Sequence, residues 1–496
     1  MQPHEQYQHY IPQFILRNFS HQYKPSRKRN ETRKRNGAGQ EKPMKRNDNV
    51  LNIVDLASEK PQLRETLVSR WFGQVDMYND AADAINSKKS VEAELCKLES
   101  RTAEILQKVR KAHENGEPGI ALTRLERDRL RKFLFIMKYR GPGFYGKYAS
   151  KDLSGYRAED KNLLRAYMAE KHFKSPRDVW LHNLRAILDL EMDPEGEWMT
   201  KLPEAMFPAD AAMFTHHVQG SYMAFCTPSK ADDEFILTDQ CYNVFEGPIH
   251  ETTSVVTGEY IGATYLCFHE FGPVSARLII VLRSFVLPQA FDDGNPRIRD
   301  ARQTFLKAAA VQLPNPEKAK SILADLPVAK AMSSQVRVVN SRLELAPGET
   351  GQRRGSDKFE FLFWPIKRKH VDIINSIFLD NVLHCKSIVF RSEAPFTRAL
   401  EAYLTTGSYG FKTLGVGEHG ARTSRLICLE KLSVVLRDLG SDKTPVWHDN
   451  EEARQECHVR SLDDIWLDMF KASEGLMNLE ESSLFKIYST LSKRIL

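Results

Sequence analysis

The sequence predicts an α+β fold, mostly helical, and three observations carry that expectation. Apolar residues recur at helical spacing through much of the first 190 residues. After about residue 219 the pattern changes to short β-rich runs (SYMAFCT, EFILT, TYLCFHEF, RLIIVLRSF) punctuated by Pro, Gly and Asp. Helical runs then return from VDIINSIFLDNVL onward. Helices and strands that are segregated rather than alternating mark an α+β arrangement. The expected order is an N-terminal helical layer, a central sheet of short antiparallel or mixed strands, and C-terminal helices.

Each element has a local reason. Near the start, HYIPQFILRNF and NVLNIVDLA read as ordered pieces flanking the almost wholly polar YKPSRKRNETRKRNGAGQEKPMKR. Leu63, Leu67, Val68, Trp71, Phe72 and Val75 fit a helical period. So do Val91, Leu95, Leu98, Thr102, Ile105 and Val109, a run that Gly116 and Pro118 stop. The third run comprises Leu122, Leu125, Leu130, Phe133, Leu134 and Met137; Thr123 is its expected cap and Glu126 completes a capping box. Arg124, Arg127, Arg129, Arg131 and Lys132 decorate this helix, interleaved with Glu126 and Asp128, and read as a solvated face. Gly141-Pro142-Gly143 is a turn after it. Helices are expected near 160–172 and 176–190, the latter opening Ser175-Pro176 as cap and first residue. Residues 296–346 are polar and partly helical, FEFLFW and SIVF are strands, and PFTRALEAYL is a helix. Two or three helices follow a Gly-rich turn beyond Gly407.

Composition bounds the class. Apolar residues make up 42% of the chain and charged ones 27%, enough apolar surface to exclude a chain disordered throughout. The seven cysteines are odd in number and never spaced CxxC, against a disulfide framework or a cysteine zinc site. MQPHEQYQHYIPQF lacks a secretory signal pattern, and no apolar run approaches the roughly 20 residues that span a bilayer. The expectation is a soluble intracellular protein, cytoplasmic or nuclear, with no membrane role. The net charge of +6 is local: residues 24–46 carry ten Lys or Arg against Glu31 and Glu41, leaving the remainder near −2. The clusters Arg27-Lys28-Arg29 and Arg33-Lys34-Arg35 suit an import receptor or nucleic acid, or are a solvated insert without function.

At His9–Phe19 (HYIPQFILRNF) the chain resembles the family catalogued as domain of unknown function 4238, which opens with a His, often doubled, an aromatic, and Val or Ile before Pro. Further matches keep the family's order: Glu99 in CKLES, Arg140 in MKYRGP, Thr238-Asp239 in FILTDQ, Pro273 and Ser275 in GPVSARLIIVL, and Asn375 in VDIINSIFL. The resemblance implies a family-like core over 7–405, with 24–46 an insertion and 406–496 a C-terminal helical extension. Two positions depart from the pattern. Gln8 stands where the second His is common, and Gln240-Cys241 replaces the usual Asn-Pro.

The family name carries no reaction, so two readings stand. In one, His9, Glu99 and Asp239 form a one-His, two-carboxylate site for Mg²⁺ or Mn²⁺ in a hydrolase or nuclease, with Arg140 holding a phosphate or stabilising transition-state charge. In the other, a binding or scaffold protein, the same residues are architecture: His9 bonded to a carbonyl, Arg140 paired to Glu99, Asp239 capping a turn. The metal belongs only to the first reading; no other cofactor is implied. Three weaker signals read as structure. GVGEHG (Gly415–Gly420) lacks the buried strand and βαβ unit of a dinucleotide site. His216-His217 point apart, and Cys457-His458 has no partner cysteine nearby. Oligomeric state is not legible.

Overall fold

The computed structural model describes residues 7–449, apart from 26–43, 79–90, 254–259, 290–295, 415–418 and positions 157, 159, 312, 314, 340, 341 and 408. The two basic clusters (Arg27, Lys28, Arg29, Arg33, Lys34, Arg35), most of the GVGEHG turn and Cys457-His458 lie outside the described residues.

Two sheets organise the chain, and α+β is the class of the fold. The larger sheet has seven strands, in the order Met332–Ser333, Lys358–Ile366, Ser221–Pro228, Leu278–Ser284, His269–Ser275 and Phe245–Glu246, with Gly119–Thr123 also paired to Lys358–Ile366. All its pairings are antiparallel except Lys358–Ile366 against Ser221–Pro228, where Phe363 lies opposite Phe225. Leu278–Ser284 is buried along its whole length, as the apolar run Leu278–Leu282 requires of a central strand. The smaller sheet is antiparallel: His21–Gln22, Asn49–Asp55, Ser387–Phe390 and Leu237–Thr238 in order, with Gln62–Leu67 also on Asn49–Asp55.

The helix expected over 63–75 is not present. Those residues form the strand Gln62–Leu67, a 3-10 turn at Val68–Arg70 and the short strand Gly73–Val75. Gln62–Leu67 pairs with a neighbour on one side only, so its burial does not alternate and the residues that touch the core happen to fall near a helical period. The N-terminal part is therefore strand and helix together rather than helical throughout.

The other helices expected before Gly407 form; of the two or three expected beyond it one is described, and residues 450–496 lie outside the described residues. We number helices in chain order: α1, Gln13–Arg17; α2, Val91–Glu114; α3, Arg124–Arg140; α4, Pro142–Tyr148; α5, Lys161–Lys171; α6, Pro176–Asp189; α7, Trp198–Ala205; α8, Pro208–Gln219; α9, Pro296–Ala310; α10, Arg368–Asp380; α11, Glu393–Thr405; α12, His419–Asp438. Both α3 and α6 open with complete capping boxes, Thr123 with Glu126 and Ser175 with Asp178. The solvated face expected on α3 is only part of its environment, because Asp128, Arg131 and Arg140 are all buried.

One apolar core joins residues of α1, both sheets and α12; Ile15, Leu16 and Phe19 of the opening segment are fully buried in it, as are Leu432 and Leu436 of α12. Specific bonds tie α12 down. Arg425 pairs with Asp380 at 2.6 Å, and the Lys431 ammonium donates to the carbonyls of Leu56 and Ser58. Among the described residues no helix is long and apolar enough to cross a membrane.

Candidate functional site

The opening motif is held by its own backbone. Tyr7–His9 pairs with Gly73–Val75, placing His9 opposite Gly73, and Pro12 starts α1 in an extended conformation that suits an N-cap. His9 is half-buried, with Nδ1 2.9 Å from the Trp71 carbonyl and Nε2 3.1 Å from the Gln13 side-chain nitrogen. A carbonyl only accepts and an amide NH₂ only donates, so the proton is on Nδ1 and the Nε2 lone pair is taken by Gln13. Burial lowers the His9 pKa, the Trp71 carbonyl and Glu99 oppose that, and Arg140 adds to it. The ring is neutral near pH 7.

Arg140, the last residue of α3, is almost wholly buried, and its Nη1 lies 2.7 Å from Glu99 Oε1 on α2. Burial acts against the guanidinium charge, but the Glu99 carboxylate and the Tyr78 hydroxyl hold its pKa above the usual value. Tyr78 stacks on Trp180 of α6 with ring centroids 6.0 Å apart, and burial pushes its phenol up to about 12. Gln8, where the family often has a second His, is a buried clamp: its amide donates to Glu92 at 3.0 Å and its oxygen accepts from the Tyr78 backbone at 2.8 Å. The strand 7–9, Tyr78 and helices α2 and α3 thus meet at one polar joint.

Asp239 belongs to a neighbouring contact. It follows the strand Leu237–Thr238, is buried, and accepts from the Lys386 backbone N–H at 2.9 Å. Burial raises its carboxyl pKa and that backbone bond works against the rise. Its link to the joint runs through Tyr10, whose phenol is driven up first by burial and then by the Asp239 charge. His9, Glu99 and Arg140 are therefore brought together and Asp239 is not among them. No group of three His, Cys, Asp or Glu among the described residues is arranged to hold a metal ion. At the second departure from the family pattern, the Gln240 amide donates to the His384 carbonyl at 2.5 Å. Asn375, fully buried on α10, accepts from the Ile236 N–H and donates to the Glu234 carbonyl, acting as a substitute strand edge for the segment that leads to Asp239.

Two buried networks escaped the sequence reading. His217 of α8 has Nδ1 2.9 Å from Glu270 and Nε2 3.1 Å from the Arg131 carbonyl, and Lys138 closes on Glu270 at 2.5 Å. Lys138 and its neighbours hold the Glu270 carboxyl far below the usual carboxylate range against the pull of burial. In the second, His269 Nδ1 donates to Glu246 at 2.8 Å while its Nε2 accepts from Arg283 at 3.2 Å, all three buried. Glu246 also accepts from Ser321 and the Ile322 N–H, and Arg283 donates to the Leu323 and Ala324 carbonyls, so the pair anchors the segment 321–324 on the large sheet. The signal was present: Glu270, His269 and Arg283 are charged or titratable residues inside apolar strands, where each needs a partner.

No curated protein and no solved structure is matched by the chain. The family model described as "Protein of unknown function (DUF4238)" matches residues 7–394, which takes in His9, Glu99, Arg140, Asp239 and Asn375. The chain therefore belongs to that family.

Proposed function

We propose that the chain acts by binding, and that the joint of His9, Glu99 and Arg140, together with the neighbouring Asp239 contact, holds its helices on the small sheet. One observation carries this reading: both nitrogens of His9 are bonded within the protein, Nδ1 to Trp71 and Nε2 to Gln13, which leaves no lone pair for a metal or a substrate proton. Glu99 is paired to Arg140, and Asp239 accepts from the Lys386 backbone through Oδ2, although Asp239 Oδ1 and Arg140 Nε are buried without a hydrogen-bond partner. The engaged His9 ring and the Glu99–Arg140 pair resemble a structural network more than a poised acid–base set.

The competing reading, a Mn²⁺- or Mg²⁺-dependent hydrolase or nuclease, makes the opposite prediction for the same variants. The test combines thermal melts of His9→Ala and Asp239→Ala with cleavage assays on single- and double-stranded DNA and RNA in Mn²⁺. The binding reading expects lower melting temperatures for both variants and no cleavage by wild type. Cleavage by wild type that both variants lose at unchanged melting temperature would overturn it.

A further inference from the structure

A cleft of about 410 Å³ opens where the first turns of α3, the loop before α7 and the segment 330–361 meet. Its lining is unbalanced in charge. Arg124, Arg127, Arg131, Arg353 and Lys330 face Asp128 and Asp193. Asp193 is already used, accepting the N–H groups of Gly196, Glu197 and Trp198 at the start of α7.

Two of the guanidiniums have carboxylate partners, Arg124 with Asp357 at 2.9 Å and Arg127 with Asp128 at 2.7 Å. Arg124 and Arg127 both lie over the Phe359 ring, 5.1 and 4.2 Å from its centroid. Burial pulls the Arg127 pKa down, and after the opposing pull of Asp128 both Arg124 and Arg353 add to the fall. Behind them, buried Arg131 is bonded only to oxygens without formal charge, the carbonyls of His217, Val218 and Ser221 and the Ser221 hydroxyl. Arg353 is exposed at the rim and makes no hydrogen bond or ion pair among the described residues. Arg131 and Arg353 thus bring positive charge to the cleft beyond what Asp128 and Asp357 meet, and an anion bound there offsets it. The remaining wall is mixed, with Trp198, Phe285, Phe361 and Met223 beside Gln219, Ser333 and Gln335. A cleft of this size with an aromatic patch and a few convergent polar groups suits a small molecule better than an extended polymer.

From this we infer that the cleft binds a small phosphomonoester, with the phosphate held by Arg127, Arg353 and Lys330 and an apolar or aromatic body against Trp198 and Phe285. The forked guanidinium of Arg353 matches the paired oxygens of a phosphate, Arg127 adds charge beside its own bond to Asp128, and Lys330, 5.3 Å from the Phe285 centroid, adds a point charge. This deepens the binding reading by naming a ligand class. It fails separately from that reading, which is judged on the motif variants rather than on this cleft.

The probe is phenyl phosphate, titrated into the full chain by calorimetry, with benzoate and benzyl alcohol as the carboxylate and neutral comparisons. Wild type is expected to bind phenyl phosphate more tightly than benzoate and not to bind benzyl alcohol. Arg353→Ala and Lys330→Ala should each weaken phenyl phosphate roughly tenfold or more, the loss of one charged hydrogen bond. Arg353→Ala should also melt no lower than wild type in phosphate-free buffer, because it removes a repelling charge. The inference is overturned if wild type does not bind phenyl phosphate, if benzoate binds as tightly, or if Arg353→Glu binds phenyl phosphate as wild type does.

Discussion

At the scale of single residues, the joint around Arg140 shows how a polar motif can be spent on structure. A guanidinium taken from water is costly unless its charge and its N–H groups are met, and Glu99 at 2.7 Å meets the charge. Gln8 supplies the neighbouring bonds, so its replacement by His, the family's commoner residue, tests whether this clamp matters. Gln8→His would leave Glu92 or the Tyr78 N–H without its present partner and should lower stability by about 1–3 kcal/mol, read from the urea midpoint. An unchanged midpoint would mean the His finds equivalent partners. Sequence alone marked His9, Glu99 and Arg140 as related through the order of the family motif, and they do meet. The same reading grouped Asp239 with them, because residue types do not reveal that Lys386 presents a backbone N–H to that carboxylate.

At the scale of elements, what was legible followed local chemistry. The starts of α3 and α6 were readable because a capping box is a contact between residues three apart. Thr123→Ala should cost about 1 kcal/mol for the lost cap, measured by denaturant unfolding. The strand Gln62–Leu67 was misread because an edge strand has no partner beyond Asn49–Asp55 to enforce alternation. Gly119–Thr123 was missed because its partner, Lys358–Ile366, lies more than 230 residues away and its last residue is also the cap of α3. The strand His269–Ser275 also carries a pH dependence. Burial lowers the His269 pKa, and Arg283 adds to the fall against the pull of Glu246. In the unfolded chain this ring titrates near the ordinary value of about 6.5. The unfolded state then binds more protons below that pH, so the contribution of neutral His269 is complete above about pH 6.5 and is lost as pH falls. The melting temperature should drop between pH 7.5 and 5.5, and the drop should be smaller in His269→Gln; parallel profiles would place the effect at other histidines.

At the scale of the molecule, one core reaches from α1 to α12, which makes the segment after residue 405 part of the same packing for as far as Asp438. The flanks of residues 26–43 are joined, with the Tyr23 N–H bonded to the Asp48 carbonyl at 2.8 Å and the Asn47 N–H to the Tyr23 carbonyl at 3.2 Å. Replacing residues 26–43 with a short Gly-Ser turn should change stability by about 0.5 kcal/mol or less, since these bonds close the chain without it. A large loss would show that these residues contribute to the fold.

The most direct test of the account is a double-mutant cycle on Glu99 and Arg140, followed by urea unfolding. If the pair is architecture, Arg140→Met alone leaves Glu99 partly buried and unpaired and should cost about 3 kcal/mol, while Glu99→Leu with Arg140→Met should recover much of that loss. An Arg140→Met protein as stable as wild type would contradict the account and return Arg140 to the list of groups held in readiness for a substrate.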